Sequence, residues 1–442
     1  MTDRIIVSSA IKPFELRLPG SKYLANRYVV LAAISDGTTR LSNVPRNDDI
    51  LAALGAIQAL GAKVEWLDQT SVEIKGIESF ELADDVVIDC HDSGTLARFI
   101  TALTGLFYSS VGHQITITGS QQMRSRPMQE SVASLETLGV SIESEKGFLP
   151  IKISGPITGG SCELDASRSS QFLSGLLIAC LKAEKDTLIH LSSDAVSESY
   201  VELTLRAIEL FGGEVKRINC REFFIPGQQA LVAKDIHVAG DVVSSSYFLA
   251  AGLLAESSCT VLNYHFDSPQ GESKFPQVLE RMGAKVYLKQ DDLKVEYDSP
   301  LQGIDVDMGN MPDVVPTLAA LACFAQGETR ITNIAHLAFK ESNRIVDLCE
   351  QLKKLGADCE YDESSITIRG GKQLIADKVS SCHDHRLAMS LALIGIKLKG
   401  LTIESSEAVA KSFPDYWQYL EQIGMVTELV LERVSETVSA EH

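Results

Sequence analysis

The chain has 442 residues, 45% hydrophobic and 22% charged, with a formal net charge of −19. That length and apolar content suit a soluble protein of two or three domains, and no apolar run approaches bilayer-spanning length. The acidic balance excludes a general nucleic-acid or anionic-membrane surface, although a local cluster of Lys and Arg can still hold a small anion.

In chain order, the segment Leu18-Pro-Gly-Ser-Lys-Tyr-Leu-Ala-Asn-Arg27 places Lys22 and Arg27 at a glycine turn entering an apolar helix. It lacks the spacing of a P-loop. Ile50, Leu54, Ile57 and Leu60 follow helical spacing and end at Gly61, before a strand-like Ala-Lys-Val-Glu-Trp. A second apolar helix begins at Gly94-Thr95. Arg124-Ser-Arg126-Pro127 sits at another helix start, where proline suits the first turn but cations oppose the helix dipole. A bound anion would compensate; two solvated surface arginines are the plainer alternative. After Leu138-Gly139, Ser169-Ser170-Gln171 leads into Phe-Leu-Ser-Gly-Leu-Leu, and after Phe211-Gly212, Ser244-Ser245-Ser246 leads into Tyr-Phe-Leu-Ala-Ala-Gly. Met282-Gly283 follows, and Met311-Pro-Asp313 opens a helix apolar from Val314 to Phe324, with Asp313 read as its N-cap. Lys340-Glu341-Ser-Asn-Arg344 puts Lys340 and Arg344 on one helical face, with Glu341 beside them. Leu355-Gly356 closes that unit. His383-Asp384-His385-Arg386 opens another apolar helix, and Lys411-Ser-Phe-Pro-Asp415 precedes Ile423-Gly424. The two histidines, with no third ligand in view, predict no metal. The charged stretch 426–442 is read as a helix or a frayed tail.

The apolar–glycine pairs recur roughly 70 residues apart, longer than common solenoid periods. Each unit reads as strand, buried helix, strand, surface helix, strand. The glycine fits a left-handed C-terminal cap, and a helix apolar on all sides belongs inside. Two groups of three units form the simplest closed arrangement. The buried helices of a group would then point their N-termini toward a shared cleft, where free N–H groups attract anions. Any single Ser or Thr there reads best as a cap; six aligned starts carrying Arg and Lys point further. Nine cysteines without CxxC pairs are expected as reduced thiols, and the opening Met-Thr-Asp-Arg-Ile-Ile-Val has no apolar signal core, so cytoplasm is the default.

The strings LPGSK with Asn26-Arg27, SGT with Arg98, Arg126-Pro127, SSQFL, GD with SYFLA, Pro312-Asp313, KES with Arg344, HDHR and Phe413-Pro414-Asp415-Tyr416 occur in one order along almost the whole chain. They resemble the EPSP synthase (3-phosphoshikimate 1-carboxyvinyltransferase) family. The transferase acting on UDP-N-acetylglucosamine has the same fold but is a poorer match. That family carries a reactive cysteine in the loop that here runs Gly119 to Arg126 without one, and its acceptor lacks the phosphate site Ser169 and Ser170 would build.

The resemblance implies an α/β (α+β) protein with a two-domain, inverse α/β barrel-like fold of six βαβαββ repeats, three per domain around buried helices. One domain would comprise residues 1–20 with 241–442 and the other 21–240, hinged near 20 and 240. It implies transfer of the enolpyruvyl group of phosphoenolpyruvate to the 5-hydroxyl of shikimate 3-phosphate, a shikimate-pathway step toward chorismate and the aromatic amino acids, without a cofactor and in a monomer. Lys22, Gly94, Arg126, Gln171, Arg344, Arg386 and Lys411 would bind phosphoenolpyruvate. Ser169, Ser170, Ser197 and Lys340 would meet the acceptor phosphate; Lys22, Tyr23, Arg27, Gln171, Tyr200, Asp313 and His336 would meet the rest of the acceptor. Asp313, Glu341 and Lys22 would be catalytic, Glu341 beside the vinyl group. Tyr23 stands where the family has Ser, His336 where Asn is common, and Glu198 replaces a basic or neutral residue; Tyr23 and Glu198 favour an enolpyruvyl transferase with another acceptor. A non-catalytic ligand-binding homologue is the other alternative.

Overall fold

The structure is a computed structural model that describes residues 2–430. Each of the six expected units forms a buried helix, an outer helix and strands of a four-stranded sheet, and the six sheets share one pattern. In each, the strand after the buried helix has one parallel partner: in four units it is the strand before that same helix, whereas Phe14–Leu16 and Asp235–His237 are exchanged, each joining the sheet of the other's helix. That strand also pairs antiparallel with the unit's last strand, as in Val86–Asp89, Ile115–Thr118 and Phe148–Ser154, except in the sixth unit, where Asp3–Ser9 stands between Thr402–Glu404 and Met425–Val430. Alternation of apolar and polar residues puts Ile115 and Ile117 on the core face and turns Thr116 and Thr118 outward.

The buried helices are Lys22–Ala33, Gly94–Thr104, Ser170–Ala179, Val242–Leu254, Val315–Ala322 and His385–Ile394. Every residue of Lys22–Ala33 and of Val242–Leu254 is buried, which accounts for their lack of a polar face. The outer helices end at Gly61, Gly139, Gly212, Gly283, Gly356 and Gly424, all with φ between +78° and +106°, where any side chain is strained.

Among the described residues no sheet mixes strands of 21–240 with strands outside that span. Strand Asp235–His237 returns to pair with Thr38–Ser42, and Asp3–Ser9 pairs with both Thr402–Glu404 and Met425–Val430. The two spans meet where Gly20 bridges Gly240; Ser21 N–H donates to Ala239 O (2.7 Å) and Asp241 N–H to Pro19 O (3.1 Å). A Cβ on Gly20 would lie 1.9 Å from Asn43 O, so this crossing admits only glycine.

The reading of residues 426–430 as helix or frayed tail is corrected. Met425–Val430 is the last strand of its sheet, completing the sixth unit as its glycine cap foretells; 431–442 lie outside the described residues. Among the described residues no helix is long and apolar enough to cross a membrane.

Candidate active site

Five of the six buried helices begin with a side-chain cap. Ser21, Ser93, Ser169, Asp241 and Asp384 accept from the N–H groups of Leu24, Leu96, Gln171, Val243 and Arg386. The fourth helix starts at Val242, two residues before the serines read as its start. Asp313 is not the cap expected of it. It lies in a short 3₁₀ turn, Pro312–Val314, and its carboxylate turns to Arg344 and Tyr23. Lys340 and Arg344 do not share a helical face either: Asn343 caps the helix Arg344–Lys354, so Lys340 and Glu341 stand in the turn before it.

These starts converge. Lys22, Tyr23, Gly94, Thr95, Gln171 and His385 line one cavity with Asp49, Arg126, Asp313, Lys340, Glu341 and Arg344. Its volume is about 30 Å³, room for about one water. A larger cavity of about 580 Å³ lies between helix Asp48–Ala59 and strand Val86–Asp89, but Asp48, Asp89 and Asp92 make it hostile to anions.

The charges form one network. Arg344 donates to Asp384 Oδ2 (2.7 Å), Asp313 Oδ1 (2.8 Å) and Glu341 Oε2 (2.8 Å). Lys411 Nζ lies 2.6 Å from Glu341 Oε1, and Arg126 Nη1 approaches the same oxygen at 3.7 Å. Arg386 donates to Tyr247 Oη (2.8 Å) and to Tyr23 Oη, while Tyr23 donates to Asp313. Lys22 pairs with Asp49 at 2.8 Å. Burial pushes the Glu341 carboxyl up, but Lys411, Arg344 and Arg126 outweigh it and hold the group well below its ordinary range. Asp313 behaves alike: burial raises it, and Lys340, Arg386 and Arg344 bring it well below.

Six buried polar atoms at this site have no partner among the described residues: Nε of Arg98, Arg126 and Arg386, both ring nitrogens of His385, and Oε2 of Glu272. Lys340 has no ion-pair partner among the described residues; burial and the nearby Arg344 lower its ammonium despite Asp313. A Cβ on Gly94 would lie 2.5 Å from Arg126 Nη1 and 2.7 Å from Arg98 Nη1, so glycine lets two guanidinium groups reach the helix start.

The other expected residues stand further out. Lys411 and Arg386 touch the cavity through Glu341 and Tyr23. Ser169 is occupied as a cap, Ser170 is buried behind it, and Ser197 lies 3.4 Å from His336 Nε2 at the opposite lip. Burial first, and then Lys340, take the His336 imidazole down to about 4, so it is neutral. Arg27 is not brought to the cavity. Its guanidinium donates to Thr204 Oγ1 (2.8 Å), Tyr23 O (2.9 Å) and Tyr200 O (3.0 Å), above the ring of Phe99. Glu198 pairs with Arg217 and is not among the residues lining the cavity.

Asp49, Thr95, Arg98, His385 and Glu272 belong to the site without having been singled out for it. Glu272 Oε1 accepts from Tyr200 Oη (2.9 Å) and from the Asp313 N–H (3.3 Å), fully buried. Burial and Asp313 push its carboxyl up to about 7. Only the 3₁₀ turn Gly271–Lys274, unmarked by periodicity, brings it here.

The profile of the EPSP synthase (3-phosphoshikimate 1-carboxyvinyltransferase) family matches residues 13–420. A 3-phosphoshikimate 1-carboxyvinyltransferase of Mannheimia haemolytica is 36% identical over 420 residues, covering 93% of this chain and 96% of that protein. One of Proteus mirabilis is 35% identical, covering 92% and 95%. A solved EPSP synthase of Acinetobacter baumannii superimposes with a TM-score of 0.82 at 26% identity, covering 98% of this chain and 100% of that one. With the fold, the motif order and the cation-lined cleft in agreement, the chain belongs to the EPSP synthase family.

Proposed function

We propose that this chain transfers the carboxyvinyl group of phosphoenolpyruvate to the 5-hydroxyl of shikimate 3-phosphate and releases phosphate. The observation that carries the reading is the surplus of buried cations, several with unpartnered atoms, around one cleft in a protein of net charge −19. Two phosphorylated acids repel each other, and only such a ring of positive groups offsets that repulsion.

Residues 1–20 with 241–442 act as one body and 21–240 as the other, hinged at Gly20 and Gly240. Phosphoenolpyruvate lies among Arg126, Arg344, Lys411 and Arg386, with Lys22, Gln171 and the N–H groups at Gly94. The acceptor takes Lys340, Ser169, Ser170 and Ser197 for its phosphate, and Tyr200, His336 and Asp313 for its ring. Arg27 supports the site by holding the backbone of Tyr23 and Tyr200. One chain supplies both walls, which supports a working monomer.

The reaction is an addition followed by an elimination. The acceptor hydroxyl gives its proton to Asp313, kept ionised by its cations, and attacks the central vinyl carbon while the methylene carbon gains a proton. Phosphate then leaves as the methyl carbon loses a proton. Glu341 serves that carbon. In the structure its carboxylate occupies the cations that phosphoenolpyruvate needs, so the arriving anion cancels their field and raises Glu341 toward a range where it both donates and accepts. Lys22 shuttles protons beside it.

The test is purified protein with phosphoenolpyruvate and shikimate 3-phosphate, followed by release of inorganic phosphate. Release that requires both compounds is expected; binding of both without release would mean a fold that has lost its chemistry.

A further inference from the structure

Tyr23 is the second residue of helix Lys22–Ala33, in the 21–240 span, yet its hydroxyl bonds only to the other span. It donates to Asp313 Oδ2 and accepts from Arg386 Nη2 at 2.5 Å. Its ring meets Tyr200 edge-on at 5.2 Å between centroids, with Lys22 Nζ 5.4 Å from its centre. The residue is 6% exposed. Burial raises the phenol well above its ordinary value despite Arg386, so it is a neutral O–H donating to the Asp313 carboxylate, just as an alcohol would. The cavity left beside it holds about 30 Å³, too little for a phosphorylated ring acid. A serine at this position would end several ångströms short of Asp313.

We propose that Tyr23 is a built-in competitor of the acceptor: a latch across the cleft whose phenol fills the acceptor's place beside Tyr200 and Asp313, tied on its far side to the donor-binding Arg386, until the acceptor displaces it. This rests on the function proposed above. The acceptor binds only the fraction of molecules in which the latch is open, so the closed fraction lowers its apparent affinity. Tyr23 thereby sets acceptor affinity, and a compound unable to take over the bond to Asp313 does not open the cleft.

The test compares wild type with Tyr23→Phe and Tyr23→Ser, each checked for cooperative thermal unfolding. In Tyr23→Phe the hydroxyl bonds vanish and the ring stays; in Tyr23→Ser both vanish. The acceptor KM is expected to fall roughly 3- to 30-fold in Tyr23→Phe and at least as far in Tyr23→Ser, with kcat changing less. The ligand-free radius of gyration is expected to exceed that of wild type in both. An acceptor KM that rises in Tyr23→Phe would mean that the hydroxyl binds the acceptor; an unchanged KM would mean that it holds nothing closed. Either overturns the latch. Should wild type release no phosphate, the function fails separately, and the latch is then judged by calorimetric binding of shikimate 3-phosphate and by the scattering radius.

Discussion

At the scale of single residues, two carboxyls of the site stand in opposite surroundings, Glu341 among cations and Glu272 without one, and both can be tested. Glu341 balances Lys411, Arg344 and Arg126 in the ligand-free cleft, and in the mechanism proposed above it would handle the methylene proton once substrate replaces it there. Glu341→Gln keeps the shape and hydrogen bonding but not the proton transfer. It is expected to bind both substrates and lose turnover by roughly two or more orders of magnitude; wild-type turnover would remove Glu341 from the mechanism. Glu272 titrates in the opposite sense. Burial lifts its folded carboxyl from 4.5 to about 7, so below the lower value both folded and unfolded chains hold the proton. As pH rises toward the upper value the unfolded chain ionises first, and folding loses on the order of 1–3 kcal/mol. Glu272→Gln cannot ionise, so its stability relative to wild type should climb between pH 5 and pH 8 in urea unfolding; parallel profiles would show that Glu272 is already charged. The motifs made Glu341, Arg344 and Lys411 legible in the sequence because each sits in a recognisable string. Glu272 was hidden because no spacing announces a carboxylate brought in by a 3₁₀ turn. Glu198 misled because a position beside a motif says nothing about which way a side chain points.

Among elements, the helices were the most readable part of the chain. Six apolar–glycine pairs became six left-handed caps, since the same steric rule acts at each. The starts were less so. Val315–Ala322 has no side-chain cap, because Arg344 and Tyr23 take the Asp313 carboxylate that local propensity assigned to the backbone. Likewise Asn343 claims the start of Arg344–Lys354, which leaves Lys340 and Glu341 in a turn and aims them into the cleft. The start of Gly94–Thr104 offers the sharpest test at this scale. Gly94→Ala retains helix propensity but puts a Cβ against the far ends of Arg126 and Arg98, which can move. The fold should therefore survive, with the displaced Arg126 lowering kcat/KM for phosphoenolpyruvate roughly 10- to 100-fold. Equal kcat/KM would mean that Arg126 does not hold the donor.

For the whole molecule, the two spans hold each other shut. Beyond Tyr23, the cleft is crossed by Asn47 Nδ2 to Ser412 O (3.0 Å), Ser199 Oγ to Asn310 O (3.4 Å) and Arg206 Nη1 to Asp267 O (3.0 Å). With about 30 Å³ free, the two bodies proposed above would have to part for substrates to reach the cations, swinging on the proposed hinge at Gly20 and Gly240. Closure around both anions then excludes water and strengthens each charge interaction. Pinning the rim should therefore stop the enzyme without touching the cations. Ser199 and Asn310 lie at that rim, away from the lining, so a Ser199→Cys, Asn310→Cys pair can be joined by oxidation or a short bis-maleimide. The joined form is expected to lose nearly all turnover and to regain it when an oxidised bridge is reduced, while each single variant, which also controls for the exposed Cys220, keeps wild-type rates. Full turnover in a quantitatively joined sample would mean that the substrates enter a closed molecule, and the cleft would then need a route that the packed rim does not offer.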